Sequence, residues 1–337
     1  MDIYQSSSVG RVRLPESLSR LLREKKGKVV AVVALTTTQT VFGLGTVYLK
    51  WTLSFTAVHP MVLALYRDVL AGLIFILITA RLGRPQKKHI VHFLGAGFCL
   101  FLNQVLFIVG VDLSGAMVAT CIQPSQPIIT FIVAVLIGQE KIDLNRLLGL
   151  TLSVVGAVWV VLGDAFLSNA NVLVKSLLGD VCLVANCAAM AVCYILVKAL
   201  VSSYSPVVVI AYTYASAVVP LVLTTPFFIK SNDDWVVPKL ALPTLAFLVL
   251  VVSVLGYSTI SWSSKHLDSS QVSAFTCLQP LVGSIGAAAF LKEEANVQKI
   301  VGGVLITLGL LVSVVEKHSR YQPWIPGLHG SKPHIKN

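Results

Sequence analysis

Ten stretches of this 337-residue chain are apolar for long enough to cross a lipid bilayer as helix: 29–51, 58–79, 90–110, 114–137, 145–163, 177–198, 206–229, 240–262, 269–291 and 297–315. Such a crossing takes roughly 17–25 residues. Little polar sequence remains from which a water-soluble domain could be built. A hydrophobic fraction of 55% and a charged fraction of 12%, with a mean hydropathy of +0.82, lie outside the range of soluble globular proteins. In hydrocarbon each backbone amide must be satisfied within its own segment, so the stretches are expected to be helices. The expected fold is an all-α membrane protein of ten transmembrane helices, flanked by polar tails at 1–28 and 316–337.

The ten stretches read as a duplicated unit. Pro127, Glu140, Gly149 and Gly156 recur as Pro280, Glu293, Gly302 and Gly309, each shifted by 153 positions, and Gln126 and Ala134 fall on Gln279 and Ala287 with the same shift. A constant offset across two helices points to repeats at 29–163 and 177–315. Each repeat holds five spans, and an odd number sends the second copy into the membrane from the opposite side. Inverted repeats supply two near-equivalent conformations, one open to each side, with a binding site near the midplane between them.

Charge sets the expected orientation. With a cytosolic N-terminus the inner segments carry 19 Lys and Arg and the outer segments 6, counting those at span ends with the adjoining segment, and Arg67 alone lies deep within a span. Positive residues favour the cytosolic side, so both termini are expected there. The net charge of +11 is met by basic tails beside anionic lipid and calls for no nucleic acid. The first apolar run follows 28 polar and basic residues and reads as a signal anchor, not a cleavable signal peptide. All six cysteines (Cys99, Cys121, Cys182, Cys187, Cys193, Cys277) fall inside the spans, without disulfide or zinc spacing. The seven histidines lie at span ends or in the tails, with no H-E-x-x-H and no carboxylate pair. No catalytic residue, metal or cofactor is expected, and the chain does not read as an enzyme.

The polar residues within the spans outline a pathway. The fourth span carries Gln123-Pro124-Ser125-Gln126-Pro127, and the ninth carries Gln279-Pro280. Proline removes an amide donor, so each helix is expected to kink at mid-membrane and leave a carbonyl in need of a partner. Gln39 in the first span, Asn103 and Gln104 in the third, Asn186 and Tyr194 in the sixth, and Tyr257 and Trp262 in the eighth complete a candidate substrate-binding set with Gln123, Gln126 and Gln279. Arg67 and Asp68 form the one deep charged pair. Intramembrane charges are functional by default, but neighbours in sequence point about 100° apart on a helix, so each is expected to have another partner. A gating or structural role is expected for both, with Pro127, Pro280, Glu140 and Glu293. Spans five and ten are rich in Gly, Val, Leu and Ile, which suits a peripheral position and a homodimer through them.

Pro127-Ile-Ile-Thr-Phe-Ile-Val-Ala, followed by Gln139-Glu140-Lys141, resembles a stretch of the plant nodulin-like, WALLS ARE THIN-related ("usually multiple acids move in and out") group of EamA-type drug/metabolite transporters. Ala64-Leu-Tyr-Arg67 resembles that group's second-span motif, and Leu278-Gln-Pro-Leu281 with Leu291-Lys-Glu293 its second-half pattern. The resemblance covers roughly 29–315. Pro124, Asp68 and the Lys265-His-Leu-Asp268 connection depart from it. What it implies is a ten-helix basket moving amino acids, auxin or related small metabolites across the plasma membrane or a vacuolar or other endomembrane. The residues favour a neutral, zwitterionic or aromatic solute, since a phosphorylated one would call for several deep Lys or Arg. A phosphorylated-metabolite or purine carrier of the same superfamily, or a non-transporting receptor or scaffold, are the alternatives. The shortage of deep carboxylates favours facilitated diffusion or exchange over proton symport.

Overall fold

The computed structural model describes residues 16–56, 58–80, 82, 85–114, 119, 122–167, 177–291 and 297–314. Glu293 and both distal tails lie outside them. Every described element is helical: α1 (Glu16–Phe55), α2 (Pro60–Thr79), α3 (Ile90–Ser114), α4 (Gln126–Leu136), α5 (Leu144–Leu167), α6 (Leu177–Leu200), α7 (Pro206–Thr224), α8 (Leu242–Phe247), α9 (Tyr257–Ser263), α10 (Ser269–Ala274), α11 (Leu278–Leu291) and α12 (Val297–Val314). A π-helical segment, Leu248–Gly256, joins α8 to α9.

Six helical stretches are long and apolar enough to cross a membrane: Lys25–Leu49, Pro60–Thr79, Lys87–Ser114, Leu177–Leu200, Pro206–Phe228 and Asn232–Ser263. Three more, Gln123–Leu136, Leu144–Trp159 and Val301–Ser313, are apolar but shorter. Ten uninterrupted spans are therefore not what the described residues contain. In the fourth and ninth stretches the α-helical winding tightens to a 3-10 turn just before the Gln-Pro pair. A 3-10 turn, Gln123–Ser125, precedes α4, and another, Phe275–Cys277, precedes α11. The backbone stays right-handed helical on both sides of each turn, so each stretch runs on through a tightened turn ahead of its proline. Ahead of α4 the Gln126 amide donates to the Gln123 carbonyl, which Pro127 cannot reach.

Local chemistry sets several other ends. Pro60 opens α2, and the Met61 amide donates to Nδ1 of His59 at 3.3 Å. Asp268 caps α10 in a reciprocal box with Gln271, whose Oε1 accepts from the Asp268 amide at 3.0 Å. In α1, Thr36, Thr37 and Thr40 turn their hydroxyls back onto the carbonyls of Val32, Val33 and Thr36. Their polarity is spent locally, and Gln39 alone of that run reaches another helix.

The outer surface is apolar. Leu136 is 80% exposed and Phe227 87% exposed, with Leu77, Val91 and Leu177 similarly bare. Large apolar side chains spread over the flanks belong in lipid, where burying them would gain nothing.

The most extensive helix pairing is between α5 and α12, followed by α3 with α6. The repeated glycines make the first possible. A Cβ on Gly149 would stand 2.6 Å from the Ser313 amide nitrogen and 2.8 Å from the Gly309 carbonyl, and one on Gly156 would stand 2.8 Å from the Gly302 carbonyl. The backbones touch, which is how helices associate where lipid removes the hydrophobic drive. Ser153 Oγ adds a long hydrogen bond to the Ile306 carbonyl at 3.4 Å. The glycine faces of the fifth and tenth spans are thus occupied by one another within a single chain. A homodimer through these helices would have to use their outer faces, where Val155, Trp159, Val304 and Leu311 are exposed.

Candidate functional site

Two amide pairs join the halves. Gln123, in the turn before α4, donates from Nε2 to Oδ1 of Asn186 on α6 at 2.6 Å. Gln279 on α11 donates from Nε2 to Oε1 of Gln39 on α1, also at 2.6 Å. In each case a residue at or beside the 3-10 turn of one half meets an amide on the first helix of the other. Asn186 also donates to the Asn103 carbonyl on α3, and Asn103 Nδ2 returns a weak bond to the Asn186 carbonyl at 3.4 Å. Gln126 lies beside the hydroxyl of Tyr194. Gln39, Gln104 and Gln126 each keep one buried amide atom without a hydrogen-bond partner among the described residues. Leaving such an atom unsatisfied costs on the order of 1–3 kcal/mol, a cost that native proteins tend to carry only for a reason.

The deep charged pair is built differently from the sequence expectation. Arg67 Nε donates to Oδ1 of its neighbour Asp68 at 2.9 Å; the long guanidinium stem curls round to close the gap that helix geometry opens. Asp68 is fully buried, and its second oxygen accepts from Gln104 Nε2 of α3 at 2.5 Å. Tyr214 on α7 and Tyr257 on α9 lie within electrostatic reach of Arg67. Their rings meet edge to face at 5.5 Å, backed by Phe75 at 5.3 Å from Tyr214 and Phe42 at 6.0 Å from Tyr257. The Tyr214 hydroxyl lies beside Ser253 in the π-helical segment; π-bulges recur at functional sites.

Beyond this set, toward the Glu140 end, the core closes. A void bounded by Leu100, Met190, Tyr194, Ile210, Tyr257 and Ile260 holds about 10 Å³, room for at most one water. At that end a polar network crosses from the first half to the second. Glu140 accepts from the Ser270 amide at 2.9 Å and from Ser270 Oγ at 2.5 Å. It also accepts from Arg146 Nη1 at 2.9 Å. The same nitrogen of Arg146 stands 3.0 Å from Asp268, and Lys198 Nζ stands 3.9 Å from it. Lys198 also donates to the Leu267 carbonyl at 2.6 Å, Gln139 to that of Ile195 at 3.1 Å, and Gln271 to that of Ser313 at 3.1 Å. Burial, and then Asp268, push the Glu140 carboxyl above its ordinary value, against the hydrogen bonds of Ser270 and the charge of Arg146.

The structure therefore brings Gln39, Asn103, Gln104, Gln123, Asn186 and Gln279 into bonded pairs and places Gln126, Tyr194 and Tyr257 beside the same core. Trp262 packs against the same core near the end of α9, with its ring also on His266 at 4.7 Å. Glu140 sits in the network between halves, and its repeat counterpart Glu293 falls outside the described residues. Sequence reasoning missed Arg146 and Ser270 as partners of Glu140 and Asp268 as the second partner of Arg146. The Asp268-x-x-Gln271 capping pattern ahead of an apolar run was the available signal. Nothing in the Val- and Leu-rich run 248–256 announces its π-helical winding.

The EamA-like transporter family model matches residues 29–162 and again 177–315. The WAT1-related protein At3g28070 of Arabidopsis thaliana is 25% identical over 63% of this chain, which spans just under two thirds (66%) of that relative's length. Protein WALLS ARE THIN 1 of the same plant is 25% identical over 75% of this chain and 74% of its own. A probable amino-acid metabolite efflux pump of Salmonella typhimurium is 24% identical over 80% of this chain and 92% of its own. One solved crystal structure shares the fold with a TM-score of 0.68 at 17% identity, across 86% of this chain and 97% of that one. With the family model matched twice, over most of the chain and around a core of amides set among apolar helices, this chain belongs to the EamA-like transporter family.

Proposed function

We propose that this chain moves a small neutral, zwitterionic or aromatic organic solute, of the amino-acid or indole kind, by alternating access between inverted five-helix halves at 29–163 and 177–315. The observation that carries the reading is the contrast along the axis of the core. Asn103, Gln123 and Gln279 keep accessible surface, while the Glu140 end is tied across the halves by the Arg146–Asp268 ion pair and the two Glu140–Ser270 hydrogen bonds, with a void of only about 10 Å³ beside Tyr194 and Tyr257. Accessible amides at one end of the core and a tied, close-packed other end suit one state of a two-state carrier. The network around Glu140 must break for the other state to form, which makes it the inner gate if both termini are cytosolic. Asp68 has both oxygens engaged by Arg67 and Gln104, an arrangement ill suited to loading and releasing a proton. Facilitated diffusion or exchange follows. The test is solute flux in reconstituted proteoliposomes, screened over amino acids, indole acids and purines with and without a pH gradient. Absence of flux for every solute would leave a receptor or scaffold; concentrative uptake driven by the pH gradient would overturn the coupling.

A further inference from the structure

Arg67 is the single Lys or Arg deep within an apolar stretch, Lys50, Arg146, Lys198 and Lys299 lying at stretch ends, and Asp68 occupies only one of its five donors. The Nε–H is tied at 2.9 Å, and among the described residues Nη1 and Nη2 have no hydrogen-bond partner. The side chain keeps 18% of its surface accessible beside a fully buried Asp68. A guanidinium at membrane depth with four unpaired N–H donors is costly. Its geometry here is also specific: Asp68, itself held by Gln104, engages the Nε edge and leaves the terminal nitrogens without a hydrogen-bond partner among the described residues. That fork matches a carboxylate in two parallel N–H···O bonds. The half-buried Tyr257 beside it, backed by Tyr214 and Phe42, provides an aromatic face at the same place.

We infer that Arg67 is the residue that binds the carboxylate of the carried solute, with Tyr257 receiving a planar or apolar body. The inference rests on the transporter reading above and narrows its substrate class to monocarboxylates, the zwitterionic amino acids included. The anchored Asp68 works against a second negative charge, which sets the site against phosphate dianions. Arg67 thus has two roles split across one guanidinium: Nε holds the helix pair α2–α3 through Asp68, and the terminal nitrogens select the solute.

Wild-type protein in proteoliposomes tests this first, without any substitution. Indole-3-acetate is compared with indole-3-acetamide, and L-phenylalanine with L-phenylalaninol, within a wider panel of amino acids and purines. At least one acid is expected to be carried with a half-saturation at least about 10-fold below that of its carboxylate-free partner, the effect of a charge-assisted pair. Arg67→Lys, which keeps the charge and loses the fork, is expected to raise the acid's half-saturation about 10- to 100-fold while leaving that of the carboxylate-free partner unchanged. If carboxylate-free partners or purines are carried as well as the acids, the transporter stands and the Arg67 assignment is overturned. Flux of nothing in the panel overturns the transporter reading itself.

Discussion

Ser270 holds Glu140 with two hydrogen bonds, one from its amide and one from its hydroxyl, across 130 residues of chain. One residue ends a helix of the first half and the other begins a helix of the second, so the contact cannot survive a motion that separates the halves at that end.

Proton binding at Glu140 should therefore bias the gate. Burial and Asp268 raise its carboxyl. A raised carboxyl binds its proton more tightly in this closed arrangement than in one where it meets water. The closed form is accordingly favoured at low pH, and that advantage fades as pH climbs from about 4.3 through the raised value. A cysteine replacing the buried Val272 should label more slowly in acid, and Glu140→Gln should flatten the dependence. Faster labelling of the wild-type background in acid would show the sign to be wrong.

Gln279 and Gln39 should act as one unit. Gln279→Ala and Gln39→Ala are each expected to lower flux about 10-fold, equal to the loss of about one net hydrogen bond in a desolvated core. The double variant should be little worse than either single, because the partners share the bond. Gln126→Ala should lower flux likewise at near-normal surface expression. Unchanged flux in the Gln126 and Gln279 variants would remove those side chains from the site.

The α5–α12 seam predicts a graded stability series. Gly149→Ala places a Cβ 2.6 Å from the Ser313 amide and 2.8 Å from the Gly309 carbonyl, backbone atoms that move only with the helix, and should cost roughly 1–3 kcal/mol. Gly72→Ala, whose nearest neighbour would be Val218 Cγ2 at 3.5 Å, should be close to neutral. Thermal denaturation in detergent followed by size exclusion ranks the two; equal midpoints would mean the seam is looser than described.

Orientation is open to a direct check. Cysteine at Asn232 should react with an impermeant thiol reagent from the non-cytosolic face of intact cells, and cysteine at Gln86 only after permeabilisation. The opposite pattern would invert every side assignment, including that of the Glu140 gate.

Much of the polar cluster that forms the candidate site was legible because lipid makes polar residues conspicuous. Gln39, Asn103, Gln123, Asn186 and Gln279 stand out against Leu and Val, and the structure does bond them to one another. Trp262 packs against the core and also on His266, a contact that depth in a span does not announce, since depth says nothing about which way a side chain faces. Arg67 and Asp68 were expected to part because their Cβ atoms diverge, but a flexible stem of three methylenes outweighs that divergence. The doubled prolines were visible, and the turn that accompanies them was not. A proline specifies where an amide donor is missing, whereas the neighbours decide how the freed carbonyl is met, and here the winding tightens to a 3-10 turn ahead of each proline.

By itself the sequence determined that this chain lives in lipid, that it is helical, that its glycines and Gln-Pro pairs recur 153 residues apart, and where its deep polar groups lie. These are properties of composition and spacing, and one-dimensional order records them fully. Only the tertiary structure decided that Gly149 meets Gly309, that Glu140 is held by Ser270 and Arg146 together, and that Asp68 takes one donor from Arg67 and leaves the rest. Those are choices of partner between segments distant in the chain. Each depends on helix rotation and on which backbone can approach within contact, and no local pattern encodes either.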